Sequence, residues 1–174
     1  MNSLYPINLR THLNATDAVG IKALLDRTGL FRADEVVVAL ELVNDRLFLH
    51  GDKSDYLFVV AETSIGGAEG LAGFACYGRI PCTKASFDLY WIAVEPEMQG
   101  LGIGKVILSL VESMIISSGG QRLYAETSSQ PSYETARLFY ERCGFKRLAF
   151  LENFYAEGDG KIIYGKKLTP PISN

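Results

Sequence analysis

The sequence predicts a single α/β (α+β) domain over residues 1–174, and three observations carry that expectation. At about 150 residues per domain, 174 residues make one domain. Hydrophobic residues make up 48% and charged residues 21%, the balance of a chain able to bury a real core. The hydrophobic period also switches repeatedly between the two-residue repeat of strands and the 3.6-residue repeat of helices, so the elements come in mixed order.

Taken in order, Ile7 and Leu9 alternate with Asn8 and Arg10 as a short strand. Asn14 and Thr16 offer N-caps to a helix through Ile21 and Leu25 that Gly29 ends. A second helix starts near Asp34, with Val37, Leu40, Val43 and Leu47 on one stripe. The β-prone runs 56–61 and 71–77 are joined by the glycine-rich TSIGGAEG and read as a hairpin. A third run, 86–94, places Phe87, Leu89, Trp91 and Ala93 in alternation before Glu95-Pro96. The segment QGLGIGKVILSLVESMI then feeds a glycine cluster into a helix with Ile103, Ile107, Leu110 and Met114 at helical spacing. After a strand over 123–127, a helix places Ala136, Phe139, Tyr140 and Cys143 on one face. The tail reads as a strand, a turn on Gly158-Asp159-Gly160 and a closing strand around Ile163.

Three glycines at 100, 102 and 104 are costly in a helix and need a reason. They could let the helix start close against the preceding strand. Alternatively, residues without side chains let successive backbone N–H groups point at an anion, aided by the helix dipole. A strand, this loop and a helix together favour the anion. Spacing then narrows the choice. A P-loop fails, because Gln99 stands five residues before Gly104 and Val106 follows Lys105. A dinucleotide fingerprint would put its third glycine where Lys105 stands, although Glu126, 22 residues after Gly104 (126 − 104), could imitate its ribose-binding acid.

Composition excludes other classes. A net charge of −3 without a basic run argues against a nucleic-acid partner. Cys76, Cys82 and Cys143 are odd in number and scattered, which gives neither a disulfide framework nor a metal-site spacing. The expectation is therefore a reducing cytoplasm and no metal. The N-terminus MNSLYPINLR has no apolar signal core and no uncharged apolar run reaches ~18 residues, so no membrane association is expected. His12 and His50 lack a G-x-S-x-G partner motif, which leaves a hydrolase triad unsupported and His50 with a helix-end role. Cys143 reads as core packing.

Gln99-Gly100-Leu101-Gly102-Ile103-Gly104, placed after a strand ending in Val94-Glu95-Pro96, resembles the Q/R-x-x-G-x-G/A signature of the GNAT superfamily of acyl-CoA-dependent N-acyltransferases. RLYAETS resembles that family's next strand, and the run from Ala136 to Phe145 resembles its A-x-x-x-Y-x-x-x-G-F helix and following strand. The resemblance implies a mixed, mostly antiparallel sheet of roughly seven strands, a splayed central strand pair and helices on both faces. It implies acetyl-CoA as cosubstrate, with main-chain contacts from Ile92 and Val94 to the pantetheine arm. Pyrophosphate contacts fall to Gln99, Gly100, Leu101, Gly102, Ile103, Gly104 and Lys105, the last being a cation that could equally be solvated. Tyr133 stands where many members carry a cofactor-contacting asparagine.

Acyl transfer to an amine needs a base for the ammonium and an acid for the leaving thiolate. The resemblance puts Tyr140 by the thioester sulfur as the acid; without that role it is an amphipathic core tyrosine. Glu126, at the end of its strand, matches the glutamate of amino-terminal acetyltransferases and is the candidate base; otherwise it is a solvated or ion-paired strand end. The NFY segment resembles an aromatic acceptor-site loop, which makes Tyr155 an acceptor contact, with Phe31, Arg32 and Glu35 on the other acceptor wall. The expected activity is direct acetyl transfer to a primary amine: an amino acid, a peptide N-terminus or a polyamine-like molecule. The rival readings are a non-catalytic acyl-CoA sensor and a dinucleotide-binding protein. Oligomeric state is left open, a homodimer included.

Overall fold

The computed structural model describes residues 7–65 and 68–170, so the first six residues, the Gly66-Gly67 centre of the expected hairpin loop and residues 171–174 lie outside the described residues. In chain order the elements are β1 (Ile7–Arg10), α1 (Asp17–Thr28), α2 (Ala33–Asn44), β2 (Leu57–Ile65), β3 (Ala68–Arg79), β4 (Ser86–Val94), α3 (Ile103–Ser117), β5 (Arg122–Ser128), α4 (Glu134–Arg142), β6 (Lys146–Ala156) and β7 (Asp159–Lys167). The strands form a seven-stranded, mostly antiparallel sheet in the order β1-β2-β3-β4-β5-β7-β6, as the fold class predicts. By packing the chain divides into two compact units. One takes the chain up to Gly78 with Trp91–Val111, and the other takes Arg79–Tyr90 with the chain from Glu112 onward.

In the first unit β1 pairs antiparallel with β2 from Ile7↔Thr63 to Arg10↔Val60. Arg10 is buried, and its guanidinium binds Asp17 through both terminal nitrogens and Glu62 at 2.8 Å. Asp17 Oδ2 also accepts from the Asn14 N–H, in the turn before α1, at 2.6 Å. Of the expected caps, Thr16 holds the N-cap position but makes no side-chain cap bond, and Asn14 lies two residues before it. Gly29 does end α1, in a left-handed conformation with its N–H on Asp26 O.

Helix α2 buries Val36, Ala39 and Val43, whereas Val37 is 56% exposed. The expected stripe is therefore shifted by one residue at its start, because three successive valines leave the phase of the helix unmarked. The chain continues into a π turn, Asp45–Leu49, closed by His50, whose Nδ1 lies 2.6 Å from Asp45 Oδ1. Helix α3 buries Ile103, Ile107, Leu108, Val111 and Ile115; Met114 is 40% exposed, so the expected Leu110–Met114 side is replaced by Leu108–Val111–Ile115. Gly73 shows how closely β3, β4 and α3 approach: a Cβ there would fall 2.8 Å from Ala93 O and 2.9 Å from Ile107 Cδ1.

In the second unit β4 runs parallel to β5 from Ser86↔Arg122 to Leu89↔Ala125, and β5 pairs antiparallel with β7 from Arg122↔Lys167 to Ser128↔Lys161. Asp159 and Gly160 already belong to β7, so the final turn is tighter than the three-residue one expected. Phe87, Leu89, Leu123, Ala125, Tyr140, Phe145, Ile162 and Tyr164 are buried here, and Ile163 is half-buried.

The Arg10–Asp17 pair generates a stability prediction. Asp17→Ala removes one buried partner of a guanidinium and the acceptor of the Asn14 N–H, and should cost about 3 kcal/mol in urea unfolding.

Candidate active site

The chain leaves β4 at Val94 through a 3-10 turn, Pro96–Met98, anchored by buried Met98 and by the Glu95 N–H on Ala72 O at 2.9 Å. Arg27 at the end of α1 holds the Glu95 carboxylate through two bonds of 2.8 and 2.7 Å. The Gln99 amide donates to Val94 O at 3.2 Å, which ties the loop back to its strand.

Gly100 and Gly102 adopt φ of +79° and +85°, and a Cβ at either would meet nothing within 4 Å. This separates the two readings of the glycines. Close packing would show a clash, as Gly73 does; here the space is open and the left-handed backbone is what excludes a side chain. The first intrahelical bond of α3 runs from Val106 N–H to Gly102 O, so the amides of Ile103, Gly104 and Lys105 have no acceptor within the helix. No acidic residue lies in the first turn, and Lys105 is exposed there. Outward amides, a positive dipole end and a cation fit a pyrophosphate. Ile92 and Val94 are half-buried on the strand leading into this loop, and Leu101 is exposed at its tip.

Tyr140 is the buried residue of α4, its ring tilted against Phe139, Phe145 and Tyr164 with centroids 5.4–5.8 Å apart. Burial, then the neighbouring Cys143 and Tyr164, pushes its phenol well above the ordinary tyrosine range, so it stays protonated. Tyr164 in turn donates to Glu141 Oε1 at 3.0 Å. Arg137 Nη1 donates at 2.8 Å to both Ser128 O and Gln130 O, which fixes the link from β5 to α4 in which Tyr133 sits half-buried.

Glu126 is half-exposed and paired with Lys161, Oε2 to Nζ, at 2.5 Å. Register places it on the face opposite Tyr140. Ala125 pairs with Tyr164, against which Tyr140 packs, and Glu126 pairs with Ile163 on the other side of the strands. Of the expected acceptor residues, Phe31 packs edge-on against Trp91 at 5.1 Å. Arg32 and Glu35 serve the start of α2, where the Arg32 N–H donates to Glu35 Oε2 at 2.8 Å. Tyr155 stands T-shaped against Phe154 at 5.1 Å.

Sequence reasoning missed Lys161 and Asp88, and took Phe154 only as part of the NFY segment. The Asp88 carboxyl is raised by burial and by Glu126, against a lowering by Lys161, so it belongs to the same charged group. Their juxtaposition depends on strand register, which no local pattern in the sequence displays. Among the described residues no group of three or more His, Cys, Asp or Glu could hold a metal, and no helix is long and apolar enough to cross a membrane.

A family model described as acetyltransferase (GNAT) domain matches residues 54–147, more than half of the chain. The chain belongs to the GNAT acetyltransferase family. A crystal structure of a GNAT-family protein from Desulfovibrio desulfuricans is 40% identical, covers 94% of this chain and 100% of that one, and has a TM-score of 0.88. The [ribosomal protein bS18]-alanine N-acetyltransferase of Haemophilus influenzae is 33% identical over 72 residues, 41% of this GNAT chain and 47% of that protein. The match thus spans about half the length of that curated relative. An aminoglycoside 6′-N-acetyltransferase complexed with coenzyme A shares the GNAT fold at 18% identity, with a TM-score of 0.68 over 97% of this chain and 99% of that one.

The burial of Tyr140 has a consequence for stability at high pH. An unfolded tyrosine ionises near pH 10, whereas the native phenol holds its proton to a higher pH. The native contribution is therefore intact below about pH 10 and is lost as pH rises above it. Melting temperatures recorded from pH 8 to 11 should fall at the alkaline end, and less steeply in Tyr140→Phe.

Proposed function

We propose that this GNAT chain transfers the acetyl group of acetyl-CoA directly to a primary amine. The observation that carries the reading is the left-handed pair Gly100 and Gly102 in open space, leading into the acceptor-free amides of Ile103, Gly104 and Lys105. A dinucleotide would ask for a glycine at the position of Lys105. Acetyl-CoA would be held by main-chain groups of Ile92 and Val94 and by the loop from Gln99 to Lys105, with Tyr133 contributing from its turn, and would supply an activated acyl group as a thioester.

Glu126 is the proposed base. It takes the proton from the acceptor ammonium, whose nitrogen lone pair then attacks the thioester carbonyl. Tyr140 is the proposed acid, which gives its proton to the leaving sulfur. Its burial suits that task, because a phenol held above the ordinary range enters each turnover protonated. Phe31, Arg32, Glu35 and Tyr155 are proposed acceptor contacts. The relatives named above act, by their names, on an alanine of a ribosomal protein and on an aminoglycoside; their shared chemistry, an amine, is what we carry to this chain. A reducing compartment such as the cytoplasm suits the free thiols of Cys76, Cys82 and Cys143.

A thermal-shift titration tests the cosubstrate. Acetyl-CoA at about 100 times its Kd should add about 2.7 kcal/mol, or roughly 5–11 °C for a chain of this size, while NAD does far less. A shift with NAD and none with acetyl-CoA would sink the proposal. Tyr140→Phe keeps the ring and deletes the hydroxyl, so turnover should fall by about 10²–10⁴ with acetyl-CoA binding nearly unchanged. Near-normal turnover in that variant would return Tyr140 to a packing role.

A further inference from the structure

In the second unit one lysine ammonium meets a carboxylate and two aromatic rings. Lys161 Nζ lies 2.5 Å from Glu126 Oε2, 3.9 Å from the centroid of Phe154 and 5.7 Å from that of Tyr155. The two rings stand at 84° to one another, so one ammonium meets two aromatic surfaces and one carboxylate. Register explains the convergence. Ser128 pairs with Lys161 and Glu126 with Ile163, which puts Glu126 and Lys161 on one face of β5 and β7, while Phe154 and Tyr155 come from the end of β6. The lysine side chain is only 14% exposed, whereas that of Glu126 is 48% exposed, so the carboxylate is the open side of the arrangement. A desolvated cation between a carboxylate and aromatic faces is the chemistry by which ammonium ligands are recognised.

We propose that Glu126, Phe154 and Tyr155 form the ammonium subsite for the acceptor, and that Lys161 is its resident occupant, which the acceptor displaces. The inference rests on the reading of Glu126 as the base given above. Lys161 takes up Glu126 Oε2 and the ring faces together, so an acceptor ammonium that is to occupy that same place must displace it. The four-carbon stem of lysine permits that movement. The acceptor class follows from the cage: a primary ammonium on a slender carbon, such as the end of a peptide or an alkylamine. Lys161 is thus a positioning residue that keeps the base occupied until a competing ammonium arrives.

Chemical rescue tests this with propylammonium as the probe. Lys161→Ala vacates the cage, and propylammonium at about ten times its Kd should then raise the melting temperature by about 3–6 °C. The wild-type protein, its cage already filled, should move by less than about 1 °C. The neutral analogue propanol should leave both unmoved, and the double variant Lys161→Ala/Glu126→Gln should lose the response. If Lys161→Ala does not fold, Lys161→Thr vacates the same space with a residue suited to a strand. A vacated variant that ignores propylammonium, or responds equally to propanol, overturns the subsite; a wild type that responds as strongly as the variant overturns the residency of Lys161. The acetyl-CoA shift, measured on the same samples, separates these failures from failure of the transferase reading, since it depends on the loop at Gly100–Lys105 and not on Lys161.

Discussion

Turning the chain from β4 into α3 is the constraint on which the candidate site depends. Within the eight residues from Glu95 to Gly102 a strand must become a helix whose first amides, at Ile103, Gly104 and Lys105, have no acceptor within the helix. Two left-handed residues achieve this, and every L side chain would be strained there. The surrounding bonds serve the same turn: Arg27 clamps Glu95, Ala72 O receives the Glu95 N–H, and Gln99 reaches back to Val94. Gly73 then lets β3 lie against Ala93 and Ile107, so the strand before the loop and the helix after it are held by one contact.

The proposed acid and base obey a different constraint. Here adjacent positions of β5 separate them, since Ala125 faces the Tyr164–Tyr140 stack and Glu126 faces Lys161. One side of the paired strands is dry and aromatic, which keeps the Tyr140 phenol neutral; the other is charged and half-open, and there Glu126 pairs with Lys161. The alternation of a β-strand is enough to place opposite chemistries 180° apart.

Much of the fold was legible because its signals are local. The glycine after α1, the alternation in Ser86–Val94 and the glycine cluster before α3 each carry their own physical reason, and each stands where the sequence places it. Helix phase was less legible. In α2 a run of valines, and in α3 an apolar surface broader than one stripe, gave several equivalent faces, so Val37 and Met114 were assigned inward and lie outward. The site followed the same division. Gly100 and Gly102 could be read from spacing, whereas Lys161 is 35 residues from Glu126 and reaches it only through the register of β5 with β7. At Arg32 and Glu35 the local signal is a helix start, with the Arg32 N–H on the Glu35 carboxylate.

Neither compact unit is continuous in sequence, and this bears on how the protein is made. The first needs Trp91–Val111 to be complete, while Arg79–Tyr90, synthesised just before, belongs with the chain from Glu112 onward. On a ribosome, Phe87 and Leu89 therefore emerge with their strand neighbours Leu123 and Ala125 still unsynthesised. During that interval β4 has β3, already synthesised, as its neighbour on one edge, while its other edge waits for β5.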